Sequence, residues 1–128
     1  MNTRVIISSV LFFLSFPPFN FWYLIFPSLF FFYSGILLSS KPFLSGLVFG
    51  AISFGVILFG IQSIGYEAWI PLSILMGLLY GFYGKLFKFI AVKTNNNFFI
   101  LIGIISTFDL LRAYFPFGGF PWGSTSTV

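Results

Sequence analysis

Asp109 and Arg112 are the residues of this chain whose types and spacing most invite chemistry. Three positions apart near the outer end of an apolar run, they share one face of a helix and can form an ion pair. An ionisable pair inside a membrane helix is costly unless satisfied, which makes it a functional candidate by default. The plainer alternative, which composition favours, is an interfacial pair that anchors the helix end while Arg112 snorkels toward head groups. Beyond this pair the chemical inventory is sparse. The 128 residues contain no cysteine and no histidine, and Glu67 is the only other carboxylate. That removes a thiolate nucleophile, the commonest general base near neutral pH, and the usual zinc ligands. No catalytic residue, metal site or cofactor is therefore expected within these residues.

The elements that must position the pair are set by composition. Apolar residues make up 59% of the chain and charged residues only 6%, too few to cover a soluble fold with groups that water solvates. Lipid is the expected main solvent. The net charge of +4 does not point to nucleic acid, because Arg4, Lys41, Lys85, Lys88, Lys93 and Arg112 are scattered between apolar runs. A spanning helix needs about 20 apolar residues. The chain predicts an all-α, polytopic transmembrane bundle of about five spans in one membrane domain, over residues 5–16, 22–38, 43–61, 69–90 and 98–115, with no soluble domain. The first run stops at Pro17-Pro18 and is short. A secretory signal core competes for it, but Phe16-Pro17-Pro18-Phe19 is unlike a cleavage site, so a retained short span or a re-entrant hairpin is expected.

Basic residues mark cytoplasmic loops. Arg4, Lys41, Lys85, Lys88 and Lys93 fall on one side of this layout, whereas the loops at 17–20 and 62–68 carry no base and one acid, Glu67. The N-terminus is predicted inside and the tail from Pro116 onward outside. Gly46 and Gly50 form one GxxxG pair, and Gly77 with Gly81 a second. Small residues let helix backbones approach closely in lipid, so these two spans are expected to pack on each other or on a partner. Tyr114 to Trp122 contains two prolines and two glycines among aromatics. It reads either as an aromatic belt at head-group depth or as a rigid lip touching a lipid or peptide.

A resemblance enters at these last residues. Phe108-Asp109-Leu110-Leu111-Arg112-Ala113, followed by Gly119-Phe120-Pro121-Trp122, resembles the E-x-x-R-G and G-F-P-W signature of the N-terminal membrane region of apolipoprotein N-acyltransferases. Leu14 to Trp22 looks like that family's early A-F-x-P-x-G-x-W hairpin, and Lys41-Pro42 to Gly55 like its next loop and glycine-rich helix. Asp109 stands where the family has Glu, and Ala113 where it has Gly. Phe59-Gly60-Ile61 stands where its Tyr-Trp pattern is expected.

The resemblance implies a bacterial inner-membrane, multi-pass protein. Members of that family move an acyl group from a phospholipid, through a cysteine thioester in a periplasmic nitrilase-like domain, to the α-amine of a lipoprotein's diacylglyceryl-cysteine. They use a Glu, Lys and Cys triad that these residues lack. The resemblance therefore implies the membrane portion of such an enzyme, truncated or half of a split enzyme. Its partners would be phospholipid, lipoprotein and a separate nitrilase-like subunit. Asp109, Arg112, Phe120, Pro121 and Trp122 would shape the substrate entrance. The alternative is a non-enzymatic scaffold or transport subunit descended from the same family.

Overall fold

The computed structural model describes residues 3–59 and 65–114. Among them the chain is all-helical, with five α-helices and no strand: α1 (Thr3–Leu14), α2 (Ile25–Leu38), α3 (Pro42–Ile57), α4 (Tyr66–Lys93) and α5 (Phe98–Tyr114). A short 3-10 turn, Trp22–Leu24, leads into α2.

Local chemistry explains the boundaries. α1 ends just before Pro17-Pro18, whose peptide bond is cis. Pro42 occupies the first turn of α3, where a missing N–H costs nothing and the fixed φ favours helix entry. Asn95 and Asn96 adopt left-handed φ values of 51° and 57° after α4, a conformation that Asn tolerates better than most residues. Asn97 then caps α5, its side-chain oxygen accepting from the N–H groups of Phe99 at 3.1 Å and Ile100 at 3.4 Å.

α4 begins three residues before the expected span and runs three beyond it, so Lys93 joins Lys85 and Lys88 within the helix. Glu67 in the first turn and Lys93 in the last both complement the helix dipole. At 28 residues, α4 is the one described helix long and apolar enough to cross a membrane by itself. α2, α3 and α5 are shorter than the apolar runs suggested, and α1 keeps its expected length but begins and ends two residues earlier. α1 has 12 residues, about 18 Å of rise, because the chain turns at Ser15 before the prolines.

The α3–α4 pair is the most extensive contact of the bundle, and α1 packs on α2 and α3. The glycine pairs face each other, so the two helices pack within the chain. A Cβ on Gly46 would strike the carbonyl of Tyr80. One on Gly50 would lie 2.7 Å from the Met76 carbonyl oxygen, and one on Gly81 would lie 3.0 Å from the Phe43 ring. α1 and α2 are joined by a reciprocal clasp in which the Ser8 hydroxyl donates to the Ser28 carbonyl and the Ser28 hydroxyl to the Ser8 carbonyl, both at 2.9 Å. Around these contacts the core is aromatic, with Phe12, Phe32, Phe49 and Phe54 all fully buried. Phe32 and Phe49 approach to 4.2 Å between ring centres.

Candidate functional site

α5 leans mainly on α4, and Arg112 is its one buried residue. Leu101, Ile104, Ile105 and Phe108 pack against the core, and Phe108 makes the ring contacts. Phe108 stacks face to face on Tyr83, with centroids 3.9 Å apart and planes 15° apart, and meets Tyr80 edge-on at 5.2 Å. Phe108, Asp109 and Arg112 fall on one side of the helix because they are one, three and four positions apart. That side therefore carries an aromatic ring, a carboxylate and a guanidinium toward the bundle.

Arg112 is 3% exposed. Its guanidinium carbon lies 5.3 Å from the ring centre of Phe54 and 5.9 Å from that of Tyr80, distances at which a cation is attracted to an aromatic face. Its Nη2 stands 3.6 Å from Asp109 Oδ1, so the expected i, i+3 ion pair is present. The snorkelling alternative fails: the guanidinium is turned into the bundle against Phe54 and Tyr80. Depth differs from expectation too. Arg112 is in the last turn of α5, but it lies against Tyr80 at the middle of α4, so the pair is level with the centre of the longest helix. An ordinary anchoring pair would gain nothing there, because removing a charge from water costs several kcal/mol that only close partners offset.

Polar groups extend inward from the pair. The Tyr33 and Tyr83 hydroxyls are 3.0 Å apart, joining α2 to α4. Asp109, Tyr33 and Tyr80 line one narrow gap together with Phe12, Phe49 and Phe108. On the other side of Arg112 a cleft of about 170 Å³ opens between α4 and α5, walled by Leu79, Phe108, Leu111 and the arginine. The wall of this cleft is wholly apolar, Arg112 lining it while its guanidinium faces Phe54 and Tyr80, and such a cleft can accommodate a methylene chain.

Of the residues expected to form the entrance, Asp109 and Arg112 are brought together. Phe120, Pro121 and Trp122 lie outside the described residues, as do Gln62 and the tail from Pro116 onward. Sequence reasoning missed Tyr33, Phe54, Tyr80 and Tyr83. One signal was available: a tyrosine inside an apolar helix needs a partner for its hydroxyl, and Tyr80 and Tyr83 flank Gly81 on such a helix. Phe54 gave none, being one phenylalanine among 22.

A second groove, of about 720 Å³, lies at the far end of α3 between Pro17-Pro18 and Trp69, with Gly55 and Val56 in its wall. The Trp69 indole N–H crosses its edge to donate to the Gly55 carbonyl at 2.9 Å.

No curated protein and no solved structure matches the chain. A family comparison does: residues 8–128 match the apolipoprotein N-acyltransferase N-terminal domain, which takes in both the α1 hairpin and the Asp109–Arg112 segment. The chain thus belongs to the apolipoprotein N-acyltransferase N-terminal domain family, a membrane region related to that enzyme.

Proposed function

We propose that these residues form the membrane portion of an apolipoprotein N-acyltransferase, a multi-pass unit of the bacterial inner membrane that receives phospholipid and lipoprotein for acyl transfer. The observation that carries the reading is Arg112, whose guanidinium is buried against Phe54 and Tyr80 and paired with Asp109 while the residue lines an apolar cleft. Intramembrane charges that face the bundle interior and are paired commonly mark substrate or ion paths. In this role Arg112 receives a polar oxygen of the substrate, Asp109 orients Arg112, and Phe120, Pro121 and Trp122 shape the entrance. The thioester chemistry belongs to a nitrilase-like domain, since these 128 residues contain no cysteine.

Charge placement supports a topology with the N-terminus in the cytosol. Arg4 begins α1, Lys41 precedes α3, and Lys85, Lys88 and Lys93 end α4, while Glu67 is at the opposite end of α4. The short helices fit a bilayer through local thinning and through exposed aromatics such as Trp22 and Tyr23 at the opposite rim.

The test is acyl transfer from phospholipid to a lipoprotein acceptor, with the full chain reconstituted beside a nitrilase-like domain. Arg112→Ala is expected to lower the rate at least tenfold while the helical content persists. An unchanged rate in that variant would refute the assignment.

A further inference from the structure

The end of the bundle away from Glu67 gathers five of the six bases, and the turn between α2 and α3 organises three of them. Lys88 reaches from α4 to donate its ammonium to the Ser39 carbonyl. Ser39 Oγ in turn accepts from the Lys41 N–H at 3.1 Å and lies 2.7 Å from Ser45 Oγ, which fixes the turn. The backbones of the two helices are close here, because a Cβ on Gly84 would stand 2.9 Å from the Pro42 carbonyl oxygen. Lys85 follows that glycine and Lys41 precedes that proline. Two exposed ammonium groups therefore flank one seam, with a third, Lys88, already engaged in holding it.

The seam beneath them is apolar. Phe43, two residues after Lys41, meets Phe82, three residues before Lys85, edge to face at 5.2 Å and 77°. Phe82 is 65% exposed, and Leu44, which follows Phe43 in the chain, is also exposed. No carboxylate competes for the lysines: the sequence has two, of which Glu67 opens α4 at its other end and Asp109 pairs with Arg112. Two cations above an exposed aromatic wall match an amphiphile with an anionic head and an apolar chain.

From this arrangement we infer that the α3–α4 seam at the basic end binds the head group of an anionic phospholipid, with Lys41 and Lys85 contacting the phosphate and Phe43 and Phe82 contacting the first acyl methylenes. The site is separate from the Arg112 cleft and takes no part in acyl transfer. It rests on the membrane reading of the chain but not on its enzymatic role.

The experiment reconstitutes the full chain into nanodiscs of equal phosphatidylglycerol and phosphatidylcholine and identifies the lipids retained on release by native mass spectrometry. Retained phosphatidylglycerol should be enriched, by about fivefold for each contacting lysine. K41Q/K85Q should abolish the enrichment with helicity unchanged, and K41R/K85R should restore it. Equal retention of both lipids, or enrichment that survives K41Q/K85Q, overturns the site. Displacement of the lipid by millimolar inorganic phosphate would also overturn it, since the anion alone would then suffice. A chain that enters no bilayer, with or without anionic lipid, overturns the membrane reading together with the site, whereas insertion without lipid preference overturns the site alone.

Discussion

Phe108 lies flat on Tyr83, and this stacked pair, with Arg112 one helical turn further on, ties α5 to the rest of the bundle. Most of the remaining α5 surface is exposed, including Phe98, Phe99, Leu110 and Leu111. Leu101, Ile104 and Ile105 add apolar packing on the same side, but Phe108 and Arg112 make the contacts nearest the candidate site, whose geometry should respond to their loss.

Phe108→Ala removes the stacked ring and should destabilise α5 docking by about 2 kcal/mol, allowing for the partial exposure of the site. Phe108→Leu should recover more than half of that. Limited proteolysis of the α4–α5 turn in detergent, compared with the melting of the whole bundle, reads the effect. Equal resistance in all three proteins would show that α5 is held by something other than this stack.

Arg112→Gln should destabilise more than Asp109→Asn. Arg112 is almost wholly buried and touches two rings as well as the carboxylate, whereas the Asp109 side chain is 26% exposed. Loss of one member of a buried pair costs about 3 kcal/mol. Arg112→Lys should recover part of this, since an ammonium keeps the charge but not the flat face over Phe54. Thermal unfolding in detergent, read by tryptophan fluorescence, ranks the variants; a milder effect for Arg112→Gln than for Asp109→Asn would contradict the packing described.

Glycine substitutions should separate contact from mere composition. Gly46→Ala places a methyl on the Tyr80 carbonyl and should cost about 1–3 kcal/mol by forcing α3 and α4 apart. Gly55 and Gly103 are also helical but have nothing within 4 Å of a Cβ. Alanine there should be neutral or stabilising by up to about 1 kcal/mol. Melting temperatures of the three single variants decide the matter, and similar losses at all three would exclude a glycine-mediated α3–α4 contact.

Ser8→Ala and Ser28→Ala should each cost about 0.6 kcal/mol, the average for hydrogen bonds between membrane helices. Each hydroxyl donates to the other residue's carbonyl rather than to its hydroxyl, so the two losses should nearly add. A double-mutant cycle on detergent stability tests this. A coupling about as large as either single effect would mean that the two hydroxyls share one bond.

The division between what was legible in the sequence and what was not follows from the range of the forces involved. Helix content, the proline-bounded ends of α1 and the start of α3, the asparagine turn before α5, and the Asp109–Arg112 pairing all depend on residues within a turn or two of one another. Local backbone chemistry and i, i+3 spacing reveal them. The choice of partner for the glycine pairs stayed open, because a GxxxG face records only that some backbone comes close; Tyr80 and Met76 answer it across the α3–α4 interface. The α-helices α2 and α3 are shorter than the spans expected at 22–38 and 43–61, because apolar composition continues through a 3-10 turn before α2 and past the end of α3. By contrast, α1 has the expected length but begins and ends two residues earlier. The depth and burial of Arg112 were decided only in three dimensions. An arginine near the end of an apolar run can turn outward or inward with the same sequence around it. What turns it inward is a pair of rings, Phe54 and Tyr80, brought from positions 58 and 32 residues earlier in the chain.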